Sequence, residues 1–469
     1  MKPFFRRPTL LLALAAGLFI RLVFLPMPGT EDMRVFQTWG ALALHEGVTQ
    51  VYAYSNIEVL TKAAGLFKGV FIHYPAPLIQ TDIGPVSSTP DYPPGSILLL
   101  KFSAASCKFL QGGKLRFSPL FNACMNLPPV LFSLAIAGIL WTFLKQERIG
   151  RVTTAILSFW LNPALILTSP VLGYQEPVFA FFGILSLLLA YRRKYTLSVI
   201  SIVLSCLIKP QGVFAVPILG MLALADGGWR LVWRCGTRFL LSFLVCLIPL
   251  LFAGRLLGMF RDILGGAMDP WLSSQQLNLW WVVGAGLHAL NGGVVWDRTV
   301  PMVRITDFTS AVGFSPNLLA LVVLVVFTAA NLYFFFLQVR KGNRFSIFWA
   351  SAIEVFGYTM LMTHVHENHL YAFFVYATPL LVLPVGVFRK LFWTLSSTYG
   401  LNLYLFDGFG QGYKGSLPWI RTLPGIDMTI VLALLNLVIF VLIVQSRHWL
   451  FDGTAPGIVK GGAGIRDVR

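Results

Sequence analysis

The chain has 469 residues, of which 56% are hydrophobic and only 12% charged, with a net charge of +17 and a mean hydropathy of +0.73. Soluble domains carry roughly 25% charged residues, so this composition excludes an ordinary soluble globule. Repeated apolar runs of about 15–25 residues predict instead an all-α, polytopic membrane protein.

Nucleic acid is not the expected partner despite the positive balance. The basic residues fall in short clusters between apolar runs, where membrane topology places them. Of the five cysteines, Cys124, Cys206 and Cys246 lie inside apolar runs, which is no disulfide framework.

The first apolar run, residues 8–26, follows Lys2, Arg6 and Arg7. Its length and the lack of a small-residue cleavage pattern predict a retained signal-anchor helix that starts inside and ends outside. A long non-spanning outer loop follows, residues 27–117. It opens on Glu31 and Asp32, and then Met33, Phe36, Trp39 or Gly40, and Ala43 or Leu44 recur at i, i+3, i+4 spacing. This predicts a helix over 32–47 lying in the membrane interface, with Asp32 at its N-cap or in its first turn. Further on, the prolines of Asp91-Tyr92-Pro93-Pro94-Gly95 fix extended backbone and start a helix over 96–110. That helix is short and carries Lys101 and Lys108. Counting it as a span would turn the later basic loops outward, so it reads as a second interfacial helix.

From residue 118 the alternation is regular. Apolar runs at 118–144, 152–168, 177–190, 197–207, 212–225, 239–253, 318–338, 345–363, 370–388, 391–406 and 428–444 predict, with the first, about twelve spans and every short basic cluster inside. Residues 1–446 therefore read as one transmembrane domain with a second long outer loop at 254–317. Runs between 177 and 225 are short for spanning and predict helices that border a cavity. The tail, 447–469, is expected to be cytoplasmic and, where glycine-rich, disordered.

Ionisable groups at a membrane are costly and tend to mark a pathway or a site. Five polar motifs collect at the outer ends: Glu31-Asp32, Asp91-Tyr92-Pro93-Pro94, Gly173-Tyr174-Gln175-Glu176, Lys209-Pro210-Gln211, and the stretch from His364 through His366 and Glu367 to His369. Asp32 is suited to taking a proton from an attacking hydroxyl, a role compatible with capping its helix. Lys209 reads either as a snorkelling lysine or as a cation for a phosphate, and the helix-breaking Pro-Gln after it favours the phosphate. The histidine stretch lacks the H-E-x-x-H spacing of a zinc site. Hydrogen bonding to a phosphate or sugar suits it better. Asn278, Trp280 and Trp281, in the second long loop, read as a membrane anchor or as an amide and aromatic face for a sugar.

Taken in order, these pieces resemble the GT-C superfamily of polyprenyl-phosphate-sugar-dependent glycosyltransferases. The likeness is to the dolichyl-phosphate-glucose glucosyltransferases of N-glycan precursor assembly and to bacterial proteins related to GPI mannosyltransferase II. It is carried by Asp32 with Trp39, Asp91-Tyr92-Pro93-Pro94, Gly173 with Gln175, Lys209 with Gln211, Asn278 with Trp280, and His364-Val365-His366-Glu367. The resemblance implies an inverting, metal-independent hexosyltransferase without a cofactor, with Asp32 as base and Glu31 beside it. It assigns Lys209, Gln211, His364, His366, Glu367 and Gln175 to the donor phosphate and sugar, and Asp91, Tyr92, Asn278, Trp280 and Trp281 to substrate-contacting loops. The implied donor is a polyprenyl-phosphate glucose or mannose. The implied acceptor is a lipid-linked or extracytoplasmic glycan at the outer face, and the compact chain points to a bacterial plasma membrane. Two departures stand out. Glu176-Pro177 occupies the place where bacterial relatives tend to have a small residue and an aspartate, and His369 follows Asn368 in place of a lysine-containing form.

Two other functions fit parts of the pattern. A lipid-linked-sugar transporter or flippase should have midplane binding groups and often inverted repeats, and no internal repeat is evident. A glycan polymerase or ligase using a lipid-diphosphate donor would use loop arginines, and Arg255, Arg261, Arg298 and Arg304 keep that reading open.

Overall fold

The computed structural model describes residues 8–54, 57–60, 70–73, 78–86, 90–266, 271–290, 303–410 and 427–452. Lys2, Arg6, Arg7, Arg298 and the glycine-rich tail 453–469 lie outside the described residues.

The chain opens with α1 (Pro8–Phe24) and α2 (Glu31–Glu46). The amphipathic pattern of α2 buries Met33, Phe36, Trp39, Gly40 and Ala43 on one face. After a 3₁₀ turn at Gln50–Tyr54 come two antiparallel hairpins, β1 (Ile57–Leu60) with β2 (Val70–His73), and β3 (Ile79–Thr81) with β4 (Gly84–Val86). These short strands, in a loop expected to carry only helices, are an addition to the sequence reading.

The first loop ends in α3 (Pro94–Leu110), followed by α4 (Pro119–Leu144), α5 (Ile149–Trp160) and the single turn α6 (Pro163–Ile166). A π-helical turn at Leu167–Val171 leads to α7 (Glu176–Tyr191) and α8 (Tyr195–Ile208). Next are α9 (Val216–Phe252), α10 (Leu256–Gly266), α11 (Leu279–Leu290) and α12 (Ile305–Val312). The chain closes with α13 (Pro316–Arg340), α14 (Ser346–Leu361), α15 (Tyr371–Ala377), α16 (Gly386–Asp407) and α17 (Met428–Gln445).

Among the described residues four helical stretches are long and apolar enough to cross a membrane: Pro119–Leu144, Pro210–Phe252, Pro316–Arg340 and Met428–Phe451. A fifth is reached if the bent pair Ile149–Trp160 and Pro163–Val171 forms one span. The fold is thus mostly helical and membrane-embedded. Leu318, Val322, Val325 and Val326 on α13, and Leu241, Leu244, Val245 and Phe252 on α9, are exposed, which suits lipid rather than water.

The difference from about twelve expected spans has a physical basis. At 1.5 Å per residue, helices of 16 residues such as α7 and α14 reach about 24 Å, short of a hydrocarbon core of roughly 30 Å. The run at 370–388 is broken into α15 and a 3₁₀ segment, Thr378–Val382, where Pro379 and Pro384 remove backbone donors. The runs at 212–225 and 239–253 merge in α9, but the chain kinks at Gly228 (φ 63, ψ −165), a conformation that glycine adopts readily.

Polar contacts define two ends of the bundle. At one end Arg344 donates to Asp226 Oδ1 at 2.5 Å and to the Ala190 carbonyl at 2.9 Å, and Arg238 donates to Thr196 at 2.8 Å. Both sides of the α9 kink therefore meet the same end. At the other, Asn122 donates to the Pro26 carbonyl (3.1 Å), Asn126 to that of Leu25 (3.0 Å), and Thr30 N–H to that of Leu172 (2.9 Å).

The path of α3 follows from these contacts. Its start bonds the end of α8, Ser96 Oγ to the Ile208 carbonyl, and its own end runs directly into α4 through a turn closed by Gln111 Nε2 on Ser118 Oγ at 2.7 Å. Both attachment points belong to the second end of the bundle.

Candidate functional site

The second end of the bundle is assembled by close backbone approaches. Gly95 packs so tightly on α8 that a Cβ there would stand 2.5 Å from the Leu207 carbonyl oxygen. That contact brings Asp91 and Tyr92, held in extended backbone by Pro93 (φ −62, ψ 163), next to the break in the chain after α8. The break is at Lys209 itself, which is extended (φ −146, ψ 137), and Pro210 opens a 3₁₀ turn, Pro210–Ala215. Tyr52 Oη donates to the Tyr92 carbonyl at 2.7 Å. The rings of Phe36, Trp39 and Tyr92 meet with centroids 5.5–5.7 Å apart.

A cavity of ≈ 510 Å³ opens here. Asp32, Asp91, Tyr92, Lys209, Gln211, His364 and His366, all singled out from the sequence, line it. They come from α2, the segment before α3, the turn after α8, and the segment between α14 and α15. Trp39, Phe214 and Tyr358 supply aromatic wall.

Within this wall Lys209 is committed to an ion pair. Its ammonium bonds Glu176 at the start of α7, and the two side chains are 3% and 1% exposed. It also lies over the Tyr92 ring, 5.2 Å from the centroid. Glu176 thus answers the charge of Lys209. His366 is the exposed member of the histidine group. His369 is half-buried in the cavity wall, and desolvation with the charges of Lys209 and His366 holds its pKa well below the usual imidazole range. Its Nε2 pairs with Gln211 Nε2 at 3.1 Å, which fits a neutral ring accepting from the amide. His364 sits at φ 60 and Gln275 at φ 70, in the left-handed region that costs a residue with a Cβ roughly 1–3 kcal/mol. The backbone of residues 274–275 bridges to His366, so a second chain segment fixes this turn.

Asp91 is pushed up to about 6, chiefly by burial and then by the charge of Asp32, while His366 and Lys209 pull it down. The cavity therefore brings the interacting carboxyls of Asp32 and Asp91 together with a paired lysine and histidines. Such an arrangement can remove a proton from a hydroxyl and hold an anion nearby.

Other expected residues are placed differently. Glu31 is exposed and Gln175 is buried behind the wall, donating to the Met125 carbonyl at 3.3 Å. Glu367 also lies behind: Tyr174 donates to it and, at 3.3 Å, to Asp407. Burial raises the pKa of Glu367, and the charge of Asp32 adds to the shift. Asn278 works as a scaffold, donating to the Thr359 and Met362 carbonyls at 3.1 Å each and accepting from the N–H groups of Trp280 and Trp281. Trp280 donates to the Leu361 carbonyl and Trp281 to Thr429. These three tie α11 to α14 and α17 and do not themselves line the cavity.

The sequence reading missed Asp262, which lines the cavity from α10, and Asp407, which shares the Tyr174 hydroxyl with Glu367. The signal for Asp262 was an amphipathic run inside the second long loop. For Asp407 no local signal exists. Among the described residues no three of His, Cys, Asp and Glu converge as metal ligands. No protein-family model matches this sequence, and comparison with curated proteins finds no match.

Proposed function

We propose that the chain is a GT-C-type glycosyltransferase of about twelve passes, moving glucose or mannose from a polyprenyl-phosphate donor to a glycan hydroxyl. The reaction takes place at the outer face of a bacterial plasma membrane. Asp32 removes the proton of the acceptor hydroxyl, which attacks the anomeric carbon opposite the phosphate, so the product is inverted. His366 and His364 donate to the lipid phosphate as it leaves, and the Lys209–Glu176 pair and Gln211 hold that side of the cavity. The Trp39 and Tyr92 rings offer a face to the hexose.

A single observation carries the reading: four chain segments far apart in sequence deliver Asp32, Asp91, Lys209, Gln211, His364 and His366 to one cavity at one end of the bundle. This position favours an enzyme over a transporter, whose binding groups belong near the midplane. Two of the loop arginines that a polymerase or ligase would use have other contacts: Arg255 meets Gln50 at 3.4 Å and Arg304 lies over the Trp271 ring.

The test is transfer of radiolabelled hexose from synthetic polyprenyl-phosphate glucose and mannose by the purified protein, with EDTA, beside Asp32→Asn. EDTA-resistant transfer from one donor that the folded variant loses, by about 10²–10⁴-fold, supports donor and base together. Undiminished transfer by Asp32→Asn removes Asp32 as base. No transfer to any of a panel of acceptors removes the reading.

A further inference from the structure

We propose that Asp91 is the second carboxyl of the reaction centre and receives from Asp32 the proton taken from the acceptor hydroxyl. The inference rests on the glycosyl-transfer reading above. Its geometric basis is that Asp32 and Asp91 line one cavity, whereas Glu31, the sequence neighbour of Asp32, is exposed. Asp91 is held in place from both sides. Tyr52 bonds the carbonyl of the following residue at 2.7 Å, and Ser96 bonds the Ile208 carbonyl at 2.5 Å.

Every element packed around Asp91 bears on its proton. Asp32 of α2 disfavours its ionised form, and burial acts in the same direction. His366, before the 3₁₀ turn Glu367–Leu370, and Lys209, after α8, favour ionisation. Lys209 is already answered by Glu176 of α7, which limits its pull. Tyr52 and Tyr92 are held protonated, the first by burial and by the charges of Asp262 and Asp91, the second by burial and by Glu176, Asp91 and Asp32. They can donate hydrogen bonds but accept no proton near neutrality. Asp91 brings a second carboxyl to the wall that Asp32 lines, and the charge of Asp32 acts on it directly.

The step balances without a further reactant. The acceptor O–H bond breaks as its oxygen bonds the anomeric carbon, and the bond from that carbon to the phosphate oxygen breaks, leaving its electron pair on the lipid phosphate. The proton goes to Asp32, passes to Asp91, and leaves for water through the cavity. Asp91 must be ionised when each cycle starts. With its pKa at about 6, turnover falls as pH drops through that value and is flat above it.

The experiment is the pH profile, from about pH 4.5 to 8.5, of hexose transfer by the full-length protein from the synthetic donor that supports turnover. Wild type, Asp91→Asn and Asp91→Glu are compared, with separate kcat and KM. The expected result for Asp91→Asn is a kcat lower by about 10- to 100-fold at pH 7, an unchanged donor KM, and no acid limb near 6. Asp91→Glu restores the limb and most of the rate, which also covers the case in which the asparagine variant fails to fold. Wild-type kcat and limb in Asp91→Asn overturn the relay and leave glycosyl transfer standing. So does a raised KM with the limb retained, which would make Asp91 a binding group. Failure of the wild type to transfer from any donor overturns the underlying reading, and the relay falls with it.

Discussion

Replacing Lys209 and Glu176 one at a time and together separates scaffold from chemistry at the centre of the site. Their side chains are 3% and 1% exposed, so removing one partner leaves the other charge buried without an answer. The cost is about 3–5 kcal/mol for either Lys209→Met or Glu176→Leu, against a total stability on the order of 5–15 kcal/mol. Losing Lys209 also removes its contact with the Tyr92 ring, about 0.5–2 kcal/mol. The double variant leaves no charge behind. Buried ion pairs replaced by apolar residues of similar volume are often neutral or stabilised by about 1–4 kcal/mol.

Glu176 Oε2 has no hydrogen-bond partner among the described residues, so the pair is incompletely satisfied and its replacement should be well tolerated. Thermal midpoints from heat steps in detergent, followed by size-exclusion fluorescence, should therefore rank wild type and the double variant together and both singles well below. If the double variant is as unstable as the singles, the charge-burial argument is refuted. Transfer by the folded double variant then reports on function. Near-complete loss assigns the Lys209 charge to the donor phosphate, and retained transfer makes the pair purely structural.

Gly95→Ala places a Cβ 2.5 Å from the Leu207 carbonyl oxygen, so it should cost about 1–3 kcal/mol by overpacking and shift Asp91. Its thermal midpoint and transfer rate should both fall, and wild-type values for both would refute the packing argument. Asn278→Ala removes two donated and two accepted hydrogen bonds worth about 0.5–1.5 kcal/mol each, and should lower the thermal midpoint by the equivalent of about 2–6 kcal/mol. An unchanged midpoint would place its work outside the scaffold. Glu367 has a folded-state pKa raised above the ordinary 4.5 by burial. Its stabilisation is full below that value and is lost as pH rises through the folded one. Glu367→Gln should remove this decline in a series of midpoints across pH, and the same slope in the variant would refute the assignment.

Much of the fold is legible in the sequence because it is set by local partition between lipid and water. Runs expected at 318–338 and 428–444 are α13 (Pro316–Arg340) and α17 (Met428–Gln445), and the i, i+3, i+4 stripe after Asp32 is the buried face of α2. The helix break at Lys209-Pro210 was equally visible, since proline denies the backbone a donor wherever it stands. The sequence reading put Asp32, Asp91, Lys209, Gln211, His364 and His366 at one end from its expected alternation of spans, and the fold brings them to one cavity.

Only tertiary structure decided which charges meet. Glu176 and Lys209 are separated by 33 residues, and Tyr174 and Glu367 by 193. No periodicity links such pairs, since a charge partner depends on distance in space. For the same reason the sequence grouped Glu31 with Asp32, whereas the first turn of α2 sends them to different surroundings and the fold supplies Asp91 instead. The placement of α3 against α8 was likewise not set by its composition. It rests on where Gly95 and Ser96 find the last turn of α8, a contact between backbones that hydropathy does not record.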